Sequence, residues 1–229
     1  MELRSALRST PATRTFTDAR VSDETVTAIL DDARFAPSGG NRQGWRVVLV
    51  KDPSIRRVIR DLYLPGWYEY LGQMADGITP FAPLNDRELE ASARARGPEI
   101  GRQQASGPGG FAEHLDEVPV MLVVLADLDC LAAVDRDLPR YSFAGGASIY
   151  PFVWSILLAA RDRGLGGVVT TMATINESEL LTLLAAPPNL AVAALVALGE
   201  PAAEITRLRR DPVSAFASID TVGGDALTS

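Results

Sequence analysis

Apolar positions at Val26, Ile29, Leu30 and Ala33 recur at the helical period, which predicts an amphipathic helix over Ser22 to Phe35. Ser22 can cap it, and Asp23 and Glu24 lie where the helix dipole favours anions. Pro37 disfavours helical geometry at Ala36, and Ser38-Gly39-Gly40-Asn41 makes a permissive loop. A strand is predicted at Arg46 to Val50, and a helix at Ser54 to Tyr63, opened by Asp52-Pro53. Val118 to Ala126 reads as a buried strand. Ala147 to Arg163 reads as a helix apolar on nearly every side, hence central or at a subunit interface, with Pro151 a kink or part of its first turn. A short strand at Val168 to Thr171, a helix at Glu177 to Leu184 and a buried strand at Ala191 to Leu198 follow. These strands among helices predict an α+β fold with a mixed sheet, whose strand order is not readable from the pattern. Neither a repeat nor an internal boundary interrupts residues 1–229, so one domain is expected, with 200–229 as a C-terminal extension.

Between Leu64 and Asp116 the pattern loosens. Pro65, Pro80, Pro83, Pro98 and Pro108 punctuate a stretch rich in glycine, charge and aromatics. A long irregular stretch inside a compact domain is usually functional or mobile. Trp67, Tyr68, Tyr70, Phe81 and Phe111 favour a lid over a ligand, so 64–116 is read as a variable lid or insertion.

Composition narrows the chemistry. Of 229 residues 47% are hydrophobic and 22% charged, the balance of a globular protein. A net charge of -7 argues against nucleic acid or an anionic membrane as partner. Lys51 is the only lysine, so a charged side chain that grips a phosphate is expected to be arginine. The single cysteine, Cys130, and single histidine, His114, argue against a disulfide, a metal centre or a histidine-based triad. The N-terminus lacks the apolar core of a secretory signal, and the apolar run from Ala144 to Ala160 falls short of the ~20 residues of a membrane span. A cytoplasmic location is the expectation.

Three separated segments suit a planar, anionic ligand: Arg8-Ser9-Thr10-Pro11-Ala12-Thr13-Arg14-Thr15-Phe16, Ala36-Pro37-Ser38-Gly39-Gly40-Asn41-Arg42-Gln43-Gly44-Trp45, and Gly164-Leu165-Gly166-Gly167-Val168-Val169-Thr170-Thr171. Each offers small residues, backbone donors or guanidinium groups. Arg207, Arg209 and Arg210 in the tail could join them. Gly164 also suits a helix C-cap.

In this order the segments resemble the FMN-dependent nitroreductase family. Residues 36–45 carry its most specific pattern, Ala-Pro-Ser-Gly-x-Asn-x-Gln-x-Trp, and Arg14-Thr15-Phe16 and Arg209-Arg210-x-Pro212 also fit. The resemblance implies a mixed, mainly antiparallel sheet flanked by helices, in an intertwined homodimer. It implies that Arg14 lies near N1 and the C2 carbonyl of the flavin, where a cation favours hydride acceptance. Pro37, Ser38, Gly39 and Asn41 are implied to contact ring and ribityl chain, commonly from the partner subunit. Gly166 and Gly167 are implied to bring an N–H to N5, Thr170 and Thr171 to add polar contacts, and Arg209 and Arg210 to clamp the phosphate.

One departure stands out. Where the family has arginine, then arginine or histidine, then serine, this chain has Thr10, Pro11 and Ala12, leaving Arg8, Ser9 or Thr10 to hold phosphate. The resemblance implies ping-pong hydride transfer from NAD(P)H to a nitroaromatic, quinone or related electrophile, with the flavin carrying the chemistry. The alternatives are a protein that sequesters flavin with little turnover, a family enzyme that remodels flavin or dehalogenates an aromatic compound, and a protein with no cofactor.

Overall fold

The computed structural model describes residues 1–203 and 208–227. Among the described residues the seven α-helices are α1 (Leu3–Ser9), α2 (Asp23–Ala33), α3 (Pro53–Ala75), α4 (Arg87–Ala95), α5 (Gly97–Ala105), α6 (Tyr150–Asp162) and α7 (Glu177–Leu183). The four strands of these residues are β1 (Trp45–Leu49), β2 (Val120–Asp127), β3 (Gly166–Thr170) and β4 (Leu190–Gly199). None of the described helices is long and apolar enough to cross a membrane.

The strands form one sheet in the order β1-β2-β4-β3, antiparallel at every pairing. The α+β reading holds. The expected mixed character shrinks to an isolated parallel bridge between Ala12 and Gly167. Every residue of β2 is buried, because both faces of the sheet are covered. Val120, Leu122, Val124 and Ala126 face Val26, Ile29, Phe152 and Ile156 of α2 and α6. Met121, Val123 and Leu125, which alternate with them, face Ile59 and Tyr63 of α3 and Leu180 of α7.

Local rules account for most element ends. The Ser22 hydroxyl accepts from the N–H of Thr25 at the start of α2. The Asp52 carboxylate accepts from Ser54 and Ile55, and Pro53 fills the first turn of α3. Pro151 likewise lies in the first turn of α6, where it costs no hydrogen bond. At the end of α6 the N–H of Gly164 bonds Arg161 and that of Leu165 bonds Ala160, with Gly164 at φ 78°. That Schellman pairing turns the chain into β3.

Two expectations need correction. The helix predicted to end at Tyr63 runs on to Ala75, through Pro65. A proline inside a helix costs about 3 kcal/mol. Here α3 packs along its length against α4, α5, α7 and the turn Met172–Asn176, and that burial outweighs the lost bond. The stretch read as irregular is therefore largely helical. The buried Glu69 carboxylate ties α4 to α3, accepting from Arg94 and from the fully buried Gln73. The helix α1 was not anticipated.

Candidate functional site

Arg14 is set in place by its backbone neighbours. The Thr13 N–H donates to Gly167 O at 2.9 Å, and Thr17 N–H donates to Glu200 O at 2.9 Å. The segment thus lies along the free edge of β3, with Thr13 turned inward and Arg14 turned out. Outward means into a cavity of about 630 Å³. Its walls are Val168, Val169 and Thr170 of β3 on one side, and the α3 stripe Tyr63, Trp67, Tyr70, Leu71 and Met74 on another. Phe111 and Ala112 close a third side. Trp67 and Tyr70 stack with centroids 5.2 Å apart and planes 12° apart. Arg14 is the one charged lining residue among those described, and no described residue forms an ion pair with it.

Of the residues singled out from sequence, the structure brings Arg14, Thr170, Trp67, Tyr70 and Phe111 to this cavity. Others fall elsewhere. Gly166 and Gly167 do not line it; a side chain at Gly166 would meet Thr13 Oγ1 at 2.5 Å, and one at Gly167 would meet Leu198 Cδ2 at 2.4 Å. Their small size serves strand packing, and the wall is formed by the residues that follow. Thr171 turns its carbonyl to Thr174. Thr10 is buried, its hydroxyl bonded to Ala6 O. Tyr68 faces the other side of α3, where a second cavity of about 530 Å³ adjoins Glu69 and Arg94. Phe81 lines neither; its N–H donates to Gln73 at 2.8 Å. Of the five aromatic residues expected at a lid, three line this cavity, two of them on a helix. Arg209 and Arg210 are exposed and lie off this cavity within one chain, and Arg207 lies outside the described residues.

Pro37, Ser38, Gly39 and Asn41 lie before β1, at the opposite edge of the sheet from β3. Three strand spacings of about 4.8 Å separate those edges, roughly 14 Å. The loop is held in an unusual shape. Gly40, Asn41 and Gln43 all have positive φ, at 62°, 53° and 51°. Left-handed backbone at non-glycine residues is costly and gathers at functional sites. Internal bonds hold it: Ser38 Oγ accepts from Gln43 N–H, and Ser148 Oγ accepts from Gly39 N–H.

Sequence reasoning missed Tyr63, Leu71, Met74 and Met172. Steps of four, three and four residues from Tyr63 through Trp67 and Tyr70 to Met74 were the available signal, masked by Pro65. The Tyr63 hydroxyl lies 3.1 Å from Thr170 Oγ1, and burial raises its pKa, so it stays protonated at neutral pH. Cys130 lies beside Gly44, and burial pushes its thiol up, away from nucleophilic use.

His114 steadies the turn that carries Phe111. Its ring bonds Pro108 O at 2.8 Å and Glu117 at 3.2 Å, so both nitrogens face acceptors, which only the protonated ring can satisfy. The Pro108 carbonyl, then Glu117, raise its pKa above the ordinary 6.5. A raised folded value contributes stability at pH below 6.5 that is lost as pH climbs through it. The wild-type unfolding midpoint is expected to fall slightly over the range just above 6.5, and His114→Gln to flatten that decline. Parallel curves for the two proteins would remove His114 from this role.

The model of the Nitroreductase family matches residues 7–200. The chain is 27% identical over 203 residues to an NADH dehydrogenase of Thermus thermophilus, covering 77% of this chain and 75% of that protein. It is 30% identical over 201 residues to 5,6-dimethylbenzimidazole synthase of Rhodospirillum rubrum, covering 83% and 78%. A crystal structure of oxidized iodotyrosine deiodinase bound to FMN and 3-iodo-L-tyrosine superposes with a TM-score of 0.65 at 21% identity, over 96% of this chain and 100% of that one.

Proposed function

The chain belongs to the nitroreductase family, and from that premise we propose that it is an FMN-dependent oxidoreductase working as a homodimer. One observation carries the reading: Arg14, the end of β3 and an aromatic helix stripe converge on one cavity. The space suits the group. Its volume lies within the roughly 300–1,000 Å³ of small-molecule sites. One wall is a strand edge and the single lining charge is a cation, while the stacked aromatic pair offers a second ring a surface of its own. Those are the surroundings that an electron-rich planar ring needs. FMN, when bound, supplies the two-electron redox centre between NAD(P)H and an electrophilic small molecule.

The protein's own part is placement and charge. Arg14, clamped through Thr13 and Thr17, holds a positive charge against the ring edge where electrons collect. The loop 37–41 reaches the ring from the partner subunit, since roughly 14 Å of sheet separates it from Arg14 within one chain. Exposed Phe35, Phe143, Tyr150 and Trp154 supply apolar surface for that contact. The exposed guanidinium groups of Arg209 and Arg210 serve the phosphate.

One preparation tests this. The purified protein is expected to sediment as a dimer, to carry FMN identified by mass after release, and to lose its colour promptly when anaerobic NADH or NADPH is added. Slow bleaching would favour a protein that holds flavin with little turnover. A colourless protein that takes up no added FMN overturns the proposal.

A further inference from the structure

Tyr63 and Thr170 hold a hydrogen with no acceptor in the protein. The two hydroxyls carry two protons between them, and their mutual bond at 3.1 Å uses one. Thr170 Oγ1 also receives the Met172 N–H at 3.5 Å, which consumes acceptor capacity and no proton. Whichever hydroxyl donates to the other, one O–H is left over, and no described residue accepts it. Both residues line the cavity that contains Arg14. A donor that loses its solvent to a ligand without gaining a partner costs about 1–3 kcal/mol, so a polar atom of a bound molecule gains by meeting it.

Its place in the cavity suggests which molecule. Tyr63 is one helical turn from Trp67 and two from Tyr70, on the same face of α3. The spare donor therefore belongs to the aromatic wall. The segment carrying Arg14 is fastened three residues back along β3, at Gly167, about 10 Å away at 3.3 Å per residue. A cation and a neutral donor thus share the cavity, and the charge of Arg14 is felt at the Tyr63 hydroxyl. The lining has no carboxylate among the described residues to pair with an ammonium group.

Resting on the function proposed above, we propose that the Tyr63–Thr170 hydroxyl pair is the polar anchor of the substrate subsite. It donates one hydrogen bond to an oxygen of an uncharged aromatic compound whose ring lies against Trp67 and Tyr70. Burial raises the pKa of Tyr63, which keeps its proton in place for that purpose.

The test uses the FMN-loaded protein and two probes of similar shape, para-methylacetophenone and para-cymene. Only the first has the carbonyl oxygen. Affinities are measured by calorimetry for wild type, Tyr63→Phe, Thr170→Val, Thr170→Ser and the double variant Tyr63→Phe/Thr170→Val. Replacing both hydroxyls with apolar groups of like shape is nearly neutral for folding, so the double variant is a usable protein. It is expected to bind the ketone about tenfold more weakly and the hydrocarbon unchanged. Each of Tyr63→Phe and Thr170→Val alone is expected to lose less, because the surviving hydroxyl still has a proton to give. Thr170→Ser should match wild type. A double variant that still binds the ketone as wild type does overturns the proposal. So does one whose FMN affinity falls while its ketone preference persists, because the donor then serves the cofactor. Failure to take up FMN at all, seen before any titration, overturns the parent reading and this one with it.

Discussion

Arg14→Gln is expected to slow reduction of the bound flavin by NADH or NADPH about a hundredfold, the scale seen when one electrostatic donor is removed from a reaction centre. The guanidinium is the only charged group among the described residues lining the cavity, so no other described lining group can take over its charge. Its backbone is held on both sides, at Thr13 to Gly167 and Thr17 to Glu200, which keeps the charge positioned before the reaction begins. Preorganised charge of this kind acts on the transition state more than on binding. Nicotinamide affinity should therefore change little, while the reduction potential of the bound flavin falls. Arg14→Lys should recover part of the rate, since it restores charge without the planar fork. Anaerobic rapid mixing measures the rate, and a titration against dyes of known potential measures the second quantity. Wild-type values for both in Arg14→Gln would show that the cavity is not the redox site.

The second large effect is on stability. Gly167→Ala places a methyl group 2.4 Å from Leu198 Cδ2, 2.9 Å from Leu157 Cδ2 and 2.9 Å from the Ala197 carbonyl oxygen. Glycine to alanine can stabilise a chain by about 0.4–1 kcal/mol through unfolded-state entropy where the site has room. Room is lacking here. Leu198 is fully buried, Leu157 nearly so, and the Ala197 oxygen belongs to the neighbouring strand, so the strain cannot be shed by swinging one exposed group. Overpacking costs about 1–3 kcal/mol, and the upper end applies when backbone must move. For a chain of this size that corresponds to a drop of about 6–12 °C in unfolding midpoint. Flavin should be lost as well, because β3 carries both the cavity wall and the anchor of Arg14. An unchanged midpoint by calorimetry would mean that β3 and β4 can separate at no cost, contrary to their packing.

Much of this protein was legible before any coordinates. The period of Val26, Ile29, Leu30 and Ala33, the caps at Ser22 and Asp52-Pro53, and the unbroken apolar runs of β2 and β4 follow from local chemistry, and the structure keeps all of them. The motif at residues 36–45 and the segment around Arg14 pointed to the family that the comparison then established. Pro65 misled, because its local preference to end a helix is worth only about 3 kcal/mol and packing over the whole of α3 exceeds that. The aromatic residues of the supposed lid divided between two cavities and a packing site for the same reason, since the rotation of each about the helix axis is set once α3 exists.

Local chemistry alone determined which segments are helix or strand and which residue types could meet a flat, charged ring. Only the tertiary structure decided that Arg14 and Thr170 share a wall, that Gly166 and Gly167 are small for the sake of neighbouring side chains, and that Tyr63 takes part at all. The division has a physical cause. Backbone preferences act over a few residues and can be read from them. The meeting of an N-terminal segment with an edge strand more than 150 positions later depends on how sheet order and helix packing fill space, which no window of sequence contains.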